Sequence, residues 1–231
     1  MTEPLSSALV EELRHLDSCV ISNAIETFNV RLRNEGFSNA DIRCVFDDLP
    51  PVIGCAVTAT IRSATPPPVG QVYADRTDWW NYVATVPAPR IVVVHDQDER
   101  PGVGAFLGEV HANILRALGC VAYVTNGAVR DLPGVRRAEL QAFAGNVSPS
   151  HAFVHIVGFG EPVEVAGLKV ASGDLLFGDR HGIVAIPGEI ASQIPSTVAA
   201  MRQRDRRIVE FCRSRDFDIA ALRSIVQDWD S

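Results

Sequence analysis

Apolar residues recur every three or four positions near both ends of the chain, which is the spacing of a helix with one buried face. The pattern predicts two short helices within residues 5–28. It also predicts a helical tail, over residues 188–214 and again over residues 218–229. These segments would flank the rest of the chain as helical ends.

Between these ends, strand-like and helix-like segments alternate. The β-branched residues of 50–64 alternate with small or polar ones, which predicts a strand. "RIVVVHD" at 90–96 and "VAYVT" at 121–125 are short apolar runs, typical of strands buried on both faces. "TDWWNYVATV" at 77–86 is predicted to be a helix. This alternation favours an α/β fold.

A glycine-rich loop contains Gly102, Gly104 and Gly108. The segment after this loop has one apolar face and ends at Gly119, which predicts a helix between the loop and Gly119. "GVRRAELQAFA" at 134–144 is predicted to be a further short helix, and residues 152–187 a run of strands and tight turns. Without an internal repeat or a linker, we expect one domain over residues 1–231, with a core of about 50–187 between helical ends 5–28 and 188–229.

The composition is that of an ordinary soluble protein, with 47% apolar and 21% charged residues. A net charge of −7 disfavours nucleic-acid binding, which needs a cationic face. We expect neither a secretory signal nor a membrane span, since the first residues include acids and no apolar run approaches roughly 20 residues. Its 5 cysteines are scattered and lack CxxC spacing. We therefore expect a cytoplasmic protein with reduced thiols, free of membrane and nucleic acid.

The candidate chemistry lies where two predicted strands end. The glycine-rich loop presents backbone N–H groups at a helix start, where an anion is favoured, and Glu109 lies in that first turn. The loop matches neither GxGxxG nor a phosphate-binding loop. "NGAVRD" at 126–131 ends the next strand with Arg130 and Asp131 side by side.

Two interpretations of these charges stay open at this point. Arg130 can bind a carboxylate or an oxyanion through two hydrogen bonds, and Asp131 can hold a hydrated Mg²⁺. Alternatively, Glu109 only complements the helix dipole, and the Arg–Asp pair is an ordinary surface feature. A Schiff-base mechanism has a single candidate, Lys169, in a turn-like segment that gives little reason for a depressed pKa.

Twenty residues separate Glu109 from Arg130, and Asp131 follows directly. This spacing, set in "LGEVHANILRALGCVAYVTNGAVRD", closely resembles the family of the regulator of ribonuclease activity A, the RraA-like family. "IGCAVTATI" at 53–61 and "GEPVEVAGLKVASGDLLFGDRHGIVAIP" at 160–187 extend the resemblance over nearly the whole chain. It implies a swivelling-type α/β/β/α domain with helical N- and C-terminal extensions.

The family includes metal-dependent aldolases of 4-hydroxy-4-methyl-2-oxoglutarate and 4-carboxy-4-hydroxy-2-oxoadipate. The resemblance therefore implies a pyruvate-releasing lyase with an oxaloacetate decarboxylase side activity. Asp131 would bind Mg²⁺ or Mn²⁺, Arg130 the oxygens of a small 2-oxo acid, and Glu109 a water that acts as base. Gly108 and the N–H groups of Val110 and His111 would hold the pyruvyl end. The assembly would be a homotrimer or hexamer.

This chain departs from the family where many members have "DGAVRD", because Asn126 replaces the first aspartate. A carboxylate from a neighbouring subunit is also expected, with Glu210 as the better candidate and Glu189 as the weaker one.

Further polar groups are expected to have structural or pocket-lining roles. Asp179, Arg180 and His181 form either a locally bonded turn or part of a pocket, with the turn favoured. Structural roles are expected for three histidines, namely His95, His151 and His155. The alternative function is that of the family's namesake, a non-catalytic, protein-binding inhibitor of a ribonuclease.

Overall fold

The computed structural model describes residues 6–68 and 76–227. Within these residues the α-helices are α1 (Ser7–Arg14), α2 (Ser18–Thr27), α3 (Arg76–Thr85), α4 (Glu109–Ala117), α5 (Leu132–Arg137), α6 (Ile194–Arg213) and α7 (Ile219–Gln227). The strands are β1 (Arg43–Cys44), β2 (Val52–Arg62), β3 (Arg90–Asp96), β4 (Ala105–Leu107), β5 (Cys120–Val129), β6 (Gln141–Val147), β7 (His155–Phe159), β8 (Val163–Val165), β9 (Leu168–Val170), β10 (Leu175–Asp179) and β11 (Gly182–Ile186).

Nine of these strands form one mixed sheet in the order β1-β6-β5-β3-β2-β10-β11, with β4 beside β5 and β7 beside β2. The pairs β2–β3, β3–β5, β4–β5 and β5–β6 are parallel, and the pairs at the two ends of the order are antiparallel. The strands β8 and β9 form a separate antiparallel hairpin. Parallel strands at the centre place their carboxyl ends at one edge of the sheet.

The central strands are buried on both faces. In β3, Val92 and Val94 pack in the cluster that contains Trp79 of α3 and Leu115 of α4. The alternate residues of β3 point the other way and pack in the cluster that contains the β8–β9 hairpin. The two-sided burial that the apolar run predicted is therefore confirmed.

The N- and C-terminal helices cover the antiparallel end of the sheet. Leu13 of α1, Ile21 of α2 and Val198 of α6 are buried together against Phe177 of β10. The helical ends predicted from the sequence are thus confirmed in the described residues, whereas residue 5 and residues 228–229 lie outside them. No helix within residues 6–68 and 76–227 is long and apolar enough to cross a bilayer.

The prediction of a helix over 134–144 is wrong beyond Arg137. Pro133 in the first turn starts α5, and Glu139 with φ of 53° ends this part of the chain in a left-handed turn. The following residues, "QAFAGNV", pair in parallel with β5 as strand β6. Their apolar run is short and suits a strand buried in a sheet as well as a helix, so pairing decided its structure.

A strand that the sequence did not reveal positions the candidate site. The three residues of β4 lie inside the glycine-rich segment and pair in parallel with the end of β5, with Leu107 opposite Val129. The backbone N–H of Arg130 donates to the carbonyl of Leu107 at 3.0 Å. The residues after Leu107 and after Val129 are thereby brought side by side.

Candidate active site

The start of α4 and the end of β5 meet at the carboxyl edge of the sheet. Gly108 is the N-cap of α4, and Glu109 is its first residue. The Glu109 backbone N–H donates to Oδ2 of Asp131 over 3.4 Å, and Nε of Arg130 lies 3.6 Å from the same oxygen. The parallel pairing of β4 with β5 therefore unites Glu109, Arg130 and Asp131, although the carboxylate of Glu109 takes no part in these contacts.

Asp131 has an unusual backbone conformation. Its φ of 52° and ψ of 41° place it in the left-handed region, where a side chain other than that of Gly, Asn or Asp is disfavoured. It occupies the N-cap position of α5 without capping the helix through its side chain. Its carboxylate is therefore not used for the local task that aspartate usually performs at a helix start.

The absence of a side chain at Gly108 makes space for the side chains of Arg130 and Asp131. A Cβ atom built on Gly108 would come 2.7 Å from Oδ2 of Asp131 and 3.1 Å from Nε of Arg130. The φ of Gly108 is −139°, which any residue adopts, so the absence of a side chain and not backbone freedom is what this position requires. Any other residue here would displace the carboxylate or the guanidinium.

A cavity of about 210 Å³ opens beside this junction. Five of the residues that the sequence singled out line it, namely Gly108, Val110, His111, Arg130 and Asp131. It is completed by Arg76, Trp80, Ala105, Phe106, Ile114, His151 and Val154. The backbone N–H groups of Val110 and His111, in the first turn of α4, precede the first intrahelical hydrogen bonds and are free to bind an anion.

The Glu109 carboxylate lies outside the cavity lining. It accepts a hydrogen bond of 2.8 Å from the guanidinium of Arg137 on α5, and both side chains are largely exposed. Gly134 makes this approach of α4 and α5 possible, because a Cβ there would lie 2.5 Å from Cβ of Glu109. The backbone of Glu109 thus lies at the site, whereas its carboxylate points to the guanidinium of Arg137.

The His111 imidazole is fixed and neutral. Its Nδ1 lies 3.3 Å from the carbonyl oxygen of Phe106, so Nδ1 carries the proton and donates. Burial lowers the pKa of His111 to about 4, with a smaller contribution from the positive charge of Arg76. Nε2 is buried and has no hydrogen-bond partner within the described residues. At neutral pH the ring therefore adds no positive charge to the cavity.

Asn126 joins the ends of two neighbouring strands through its side-chain amide. Oδ1 of Asn126 accepts from the N–H of Asp96 at 2.8 Å, and Nδ2 donates to the carbonyl of Asp96 at 3.0 Å. A carboxylate could not make the second of these bonds. Asn126 therefore fastens β5 to the end of β3 and does not line the cavity.

The Asp179 cluster forms a bonded turn and lies away from the cavity. Both carboxylate oxygens of Asp179 bind Ser18 at the start of α2, one through the backbone N–H and one through the hydroxyl, each at 2.8 Å. The N–H of His181 donates to the same carboxylate at 2.9 Å. The bond from His181 agrees with the favoured interpretation of a locally bonded turn, and the two bonds from Ser18 join this turn to α2.

Four residues near the site escaped the sequence analysis in this role. His151 was expected in a structural position and Trp80 only within a predicted helix, yet both line the cavity. Arg76 lines it as well, and Arg137 binds Glu109. None of them carries a sequence signal for the site, because α3, α5 and the segment before β7 are brought there only by packing.

Comparisons with known proteins agree with this architecture. A protein of Pseudomonas syringae pv. tomato of uncharacterised function superposes with a TM-score of 0.72 at 20% identity, over 99% of this chain and 97% of that chain. An unusual member of the RNase ES inhibitor RraA protein family from Streptomyces coelicolor superposes with a TM-score of 0.68 at 21% identity, over 87% of this chain and 96% of that one.

In sequence, the chain is 22% identical to Protein DlpA of Legionella pneumophila over 130 residues, which are 55% of this chain and 21% of that protein. The chain thus spans about a fifth of the length of DlpA. The RraA-like family, described as Aldolase/RraA, matches residues 18–185, which is more than half of the chain. The α/β fold with helical ends is therefore confirmed, and the chain belongs to the RraA-like family.

Proposed function

We propose that this chain is a divalent-metal-dependent lyase that cleaves a 4-hydroxy-2-oxo acid to release pyruvate, and that it decarboxylates oxaloacetate as a side reaction. Substrates of this class include 4-hydroxy-4-methyl-2-oxoglutarate and 4-carboxy-4-hydroxy-2-oxoadipate. Both reactions require that negative charge developing on a pyruvate enolate be stabilised. The observation that carries the proposal is the placement of Arg130 and Asp131 against Gly108 beneath the N-terminus of α4, at the wall of a cavity.

The donor set at Asp131 fits a hydrated divalent cation. Its side chain is 44% exposed, and Oδ1 accepts no hydrogen bond from the described residues. Within residues 6–68 and 76–227 no group of three or more His, Cys, Asp or Glu side chains converges as a metal site. A single carboxylate completed by water and substrate oxygens is the coordination that Mg²⁺ accepts, and Mn²⁺ prefers similar ligands. Asp131 would hold the ion, which would polarise the 2-oxo group of the substrate.

The other groups of the site have roles that follow from their chemistry. Arg130, with a side chain 33% exposed, is suited to bind the 2-oxo or carboxylate oxygen and to stabilise it as charge develops. The N–H groups of Val110 and His111 would bind the carboxylate of the pyruvyl end, since the helix dipole favours an anion there. His111 stays neutral and leaves this charge balance unchanged.

Proton removal from the C4 hydroxyl needs a base, and we assign this role to Glu109, as the likeness to the RraA-like family implies. In the proposal its carboxylate, 48% exposed, leaves Arg137 and orients the water that takes the proton. The C3–C4 bond then breaks, its electron pair enters the pyruvate enolate, and the enolate is protonated at C3. The homotrimer or hexamer and a carboxylate from a neighbouring subunit also belong to the proposal.

The test is pyruvate release from 4-hydroxy-4-methyl-2-oxoglutarate and from oxaloacetate, followed with lactate dehydrogenase and NADH. We expect turnover with Mg²⁺, its loss in EDTA, and its recovery when Mg²⁺ or Mn²⁺ is restored. Lys169→Met is the matched control, because Lys169 on β9 is exposed and a Schiff-base mechanism would depend on it. Full activity of this variant agrees with the metal route, whereas its inactivity would contradict it.

A chain that releases no pyruvate from any 4-hydroxy-2-oxo acid or from oxaloacetate, with metal present, would refute the lyase assignment. That result would favour the alternative expected from the sequence, a protein-binding regulator without catalysis. The similar Streptomyces coelicolor protein is a member of a ribonuclease inhibitor family, but at 21% identity this likeness speaks for the fold alone.

A further inference from the structure

The cavity beside Arg130 and Asp131 continues into a second one. Four residues, namely Arg76, Trp80, His151 and Val154, line both cavities. The second has a volume of about 540 Å³ and is also lined by the residues before and within the start of β7. Arg130 and Asp131 line only the first cavity, so the four shared residues mark where the two meet. A ligand bound at Arg130 can extend towards this junction.

Arg76 places a positive charge at the junction, and no carboxylate of residues 6–68 and 76–227 pairs with it. Its side chain makes no ion pair or hydrogen bond with the described residues, and it is close enough to His111 to contribute to the lowered pKa of that ring. His151 stands beside the same junction, with Nδ1 bonded to the carbonyl of Ala152 at 3.0 Å. Its other ring nitrogen is therefore available to a ligand.

Among the described residues, positive charges that line the two cavities outnumber negative ones. Two guanidinium groups, those of Arg76 and Arg130, face a single carboxylate, that of Asp131. A bound divalent cation would increase the positive excess. A monocarboxylate bound at Arg130 would leave the charge of Arg76 unmatched, whereas a second carboxylate at the far end of the ligand would match it. Guanidinium groups bind carboxylates through two parallel hydrogen bonds, which suits this task.

We propose that Arg76, with His151 beside it, binds the second carboxylate of the ligand and makes this chain select 2-oxo dicarboxylates over 2-oxo monocarboxylates. The inference rests on the proposed function for the position of the 2-oxo acid at Arg130. Arg76 is in this view a specificity-determining residue that touches the substrate away from the bond that breaks. It needs no part in the chemical step.

The deciding experiment compares two ligands with the same carbon chain. 2-Oxoglutarate ends in a carboxylate, and 2-oxopentanoate ends in a methyl group at the same position. Their dissociation constants are measured by isothermal titration calorimetry on the full chain with Mg²⁺, for the wild type, Arg76→Gln and Arg43→Gln. Arg43 is the matched control, since it is an exposed arginine on the edge strand β1 and lines neither cavity.

We expect the wild type and Arg43→Gln to bind 2-oxoglutarate about 10- to 100-fold more tightly than 2-oxopentanoate. This is the contribution of a charge-assisted hydrogen-bonded pair. Arg76→Gln should lose this preference and bind 2-oxopentanoate as the wild type does. Equal weakening of both ligands would indicate a structural role for Arg76 and overturn the inference. Absence of any preference in the wild type, or of any binding, would overturn it too.

The outcome separates this inference from the proposed function. Selective binding of 2-oxoglutarate that depends on Arg76, in a chain that releases no pyruvate, would refute the lyase and leave the dicarboxylate site standing. Pyruvate release by a chain in which Arg76 does not discriminate between the two ligands would refute the dicarboxylate site and leave the lyase assignment standing. Melting temperatures of the three proteins show whether each variant is folded.

Discussion

Two aspartates at strand ends have opposite surroundings. Asp179, at the end of β10, has a side chain that is 7% exposed and three hydrogen bonds of 2.8 to 2.9 Å from Ser18 and His181. Asp131, just after β5, has a side chain that is 44% exposed, one hydrogen bond of 3.4 Å and a charged neighbour at 3.6 Å. One carboxylate is satisfied within the chain, and the other is not.

The number of hydrogen bonds within the chain distinguishes a structural acid from a functional one. Asp179 holds the N-terminus of α2 against β10 and has no capacity left for a ligand. Asp131 adopts a left-handed backbone with φ of 52°, which costs on the order of 1 kcal/mol, without gaining strong bonds in return. Four predictions test this contrast, in order of the size of the effect.

The largest effect is expected from Asp131→Asn. Asparagine tolerates the left-handed conformation and has the same shape, so the fold should be kept. It removes the negative charge that would hold the cation, and pyruvate release should fall by about a thousandfold or more. Lyase kinetics and thermal unfolding of the same preparation measure both quantities. Retained turnover at saturating Mg²⁺ would contradict the assignment of Asp131.

Asp179→Ala should produce the opposite pattern. It leaves the N–H and the hydroxyl of Ser18 and the N–H of His181 without their acceptor, in a buried place. We expect the free energy of unfolding to fall by about 3 kcal/mol, as measured by urea denaturation. At a temperature where the variant is folded, the rate of pyruvate release should be that of the wild type. If Asp179→Ala abolished activity while stability stayed unchanged, the contrast would be wrong.

Gly108→Ala should displace the Asp131 carboxylate without removing it. The added Cβ would come 2.7 Å from Oδ2 of Asp131, and the flexible carboxylate can move away at little cost in stability. A displacement of this size should lower pyruvate release by about a hundredfold. Gly188→Ala is the control, because a Cβ there meets nothing within 4 Å. Equal activities of the two variants would show that the room at Gly108 is not needed.

Much of this fold was predictable, for a physical reason. Periods of two and of 3.6 residues are set by burial, so β2, β3, α3, α4 and the helical ends followed from the pattern of apolar positions. Strand β6 did not, because its short apolar run suits a buried strand as well as a helix, and pairing with β5 decided between them. The short β4 did not either, since its three residues are a strand only by pairing with β5.

The candidate site was predictable only where neighbours in the chain, or a recognisable spacing, carried the information. Arg130 and Asp131 are adjacent, and Glu109 precedes them at the spacing of one helix and one strand. That the Glu109 carboxylate binds Arg137 depends on how α5 packs on α4, which no spacing encodes. Arg76 reaches the cavity from α3 by tertiary packing alone.

The last prediction concerns His111, the buried titratable group beside Asp131. Its pKa is about 4 in the folded chain and 6.5 when exposed, so between these pH values the unfolded chain binds a proton that the folded chain does not. The stability that this neutral imidazole contributes is present above pH 6.5 and is lost as the pH falls towards 4.

His111→Leu removes the titration. From pH 7.5 to pH 5 we therefore expect the free energy of unfolding of the wild type to fall relative to that of the variant by about 2 kcal/mol. Urea denaturation of both proteins across this range measures the difference. Parallel curves would show that His111 takes up its proton in the folded chain as readily as in the unfolded one, which would contradict the burial of its ring.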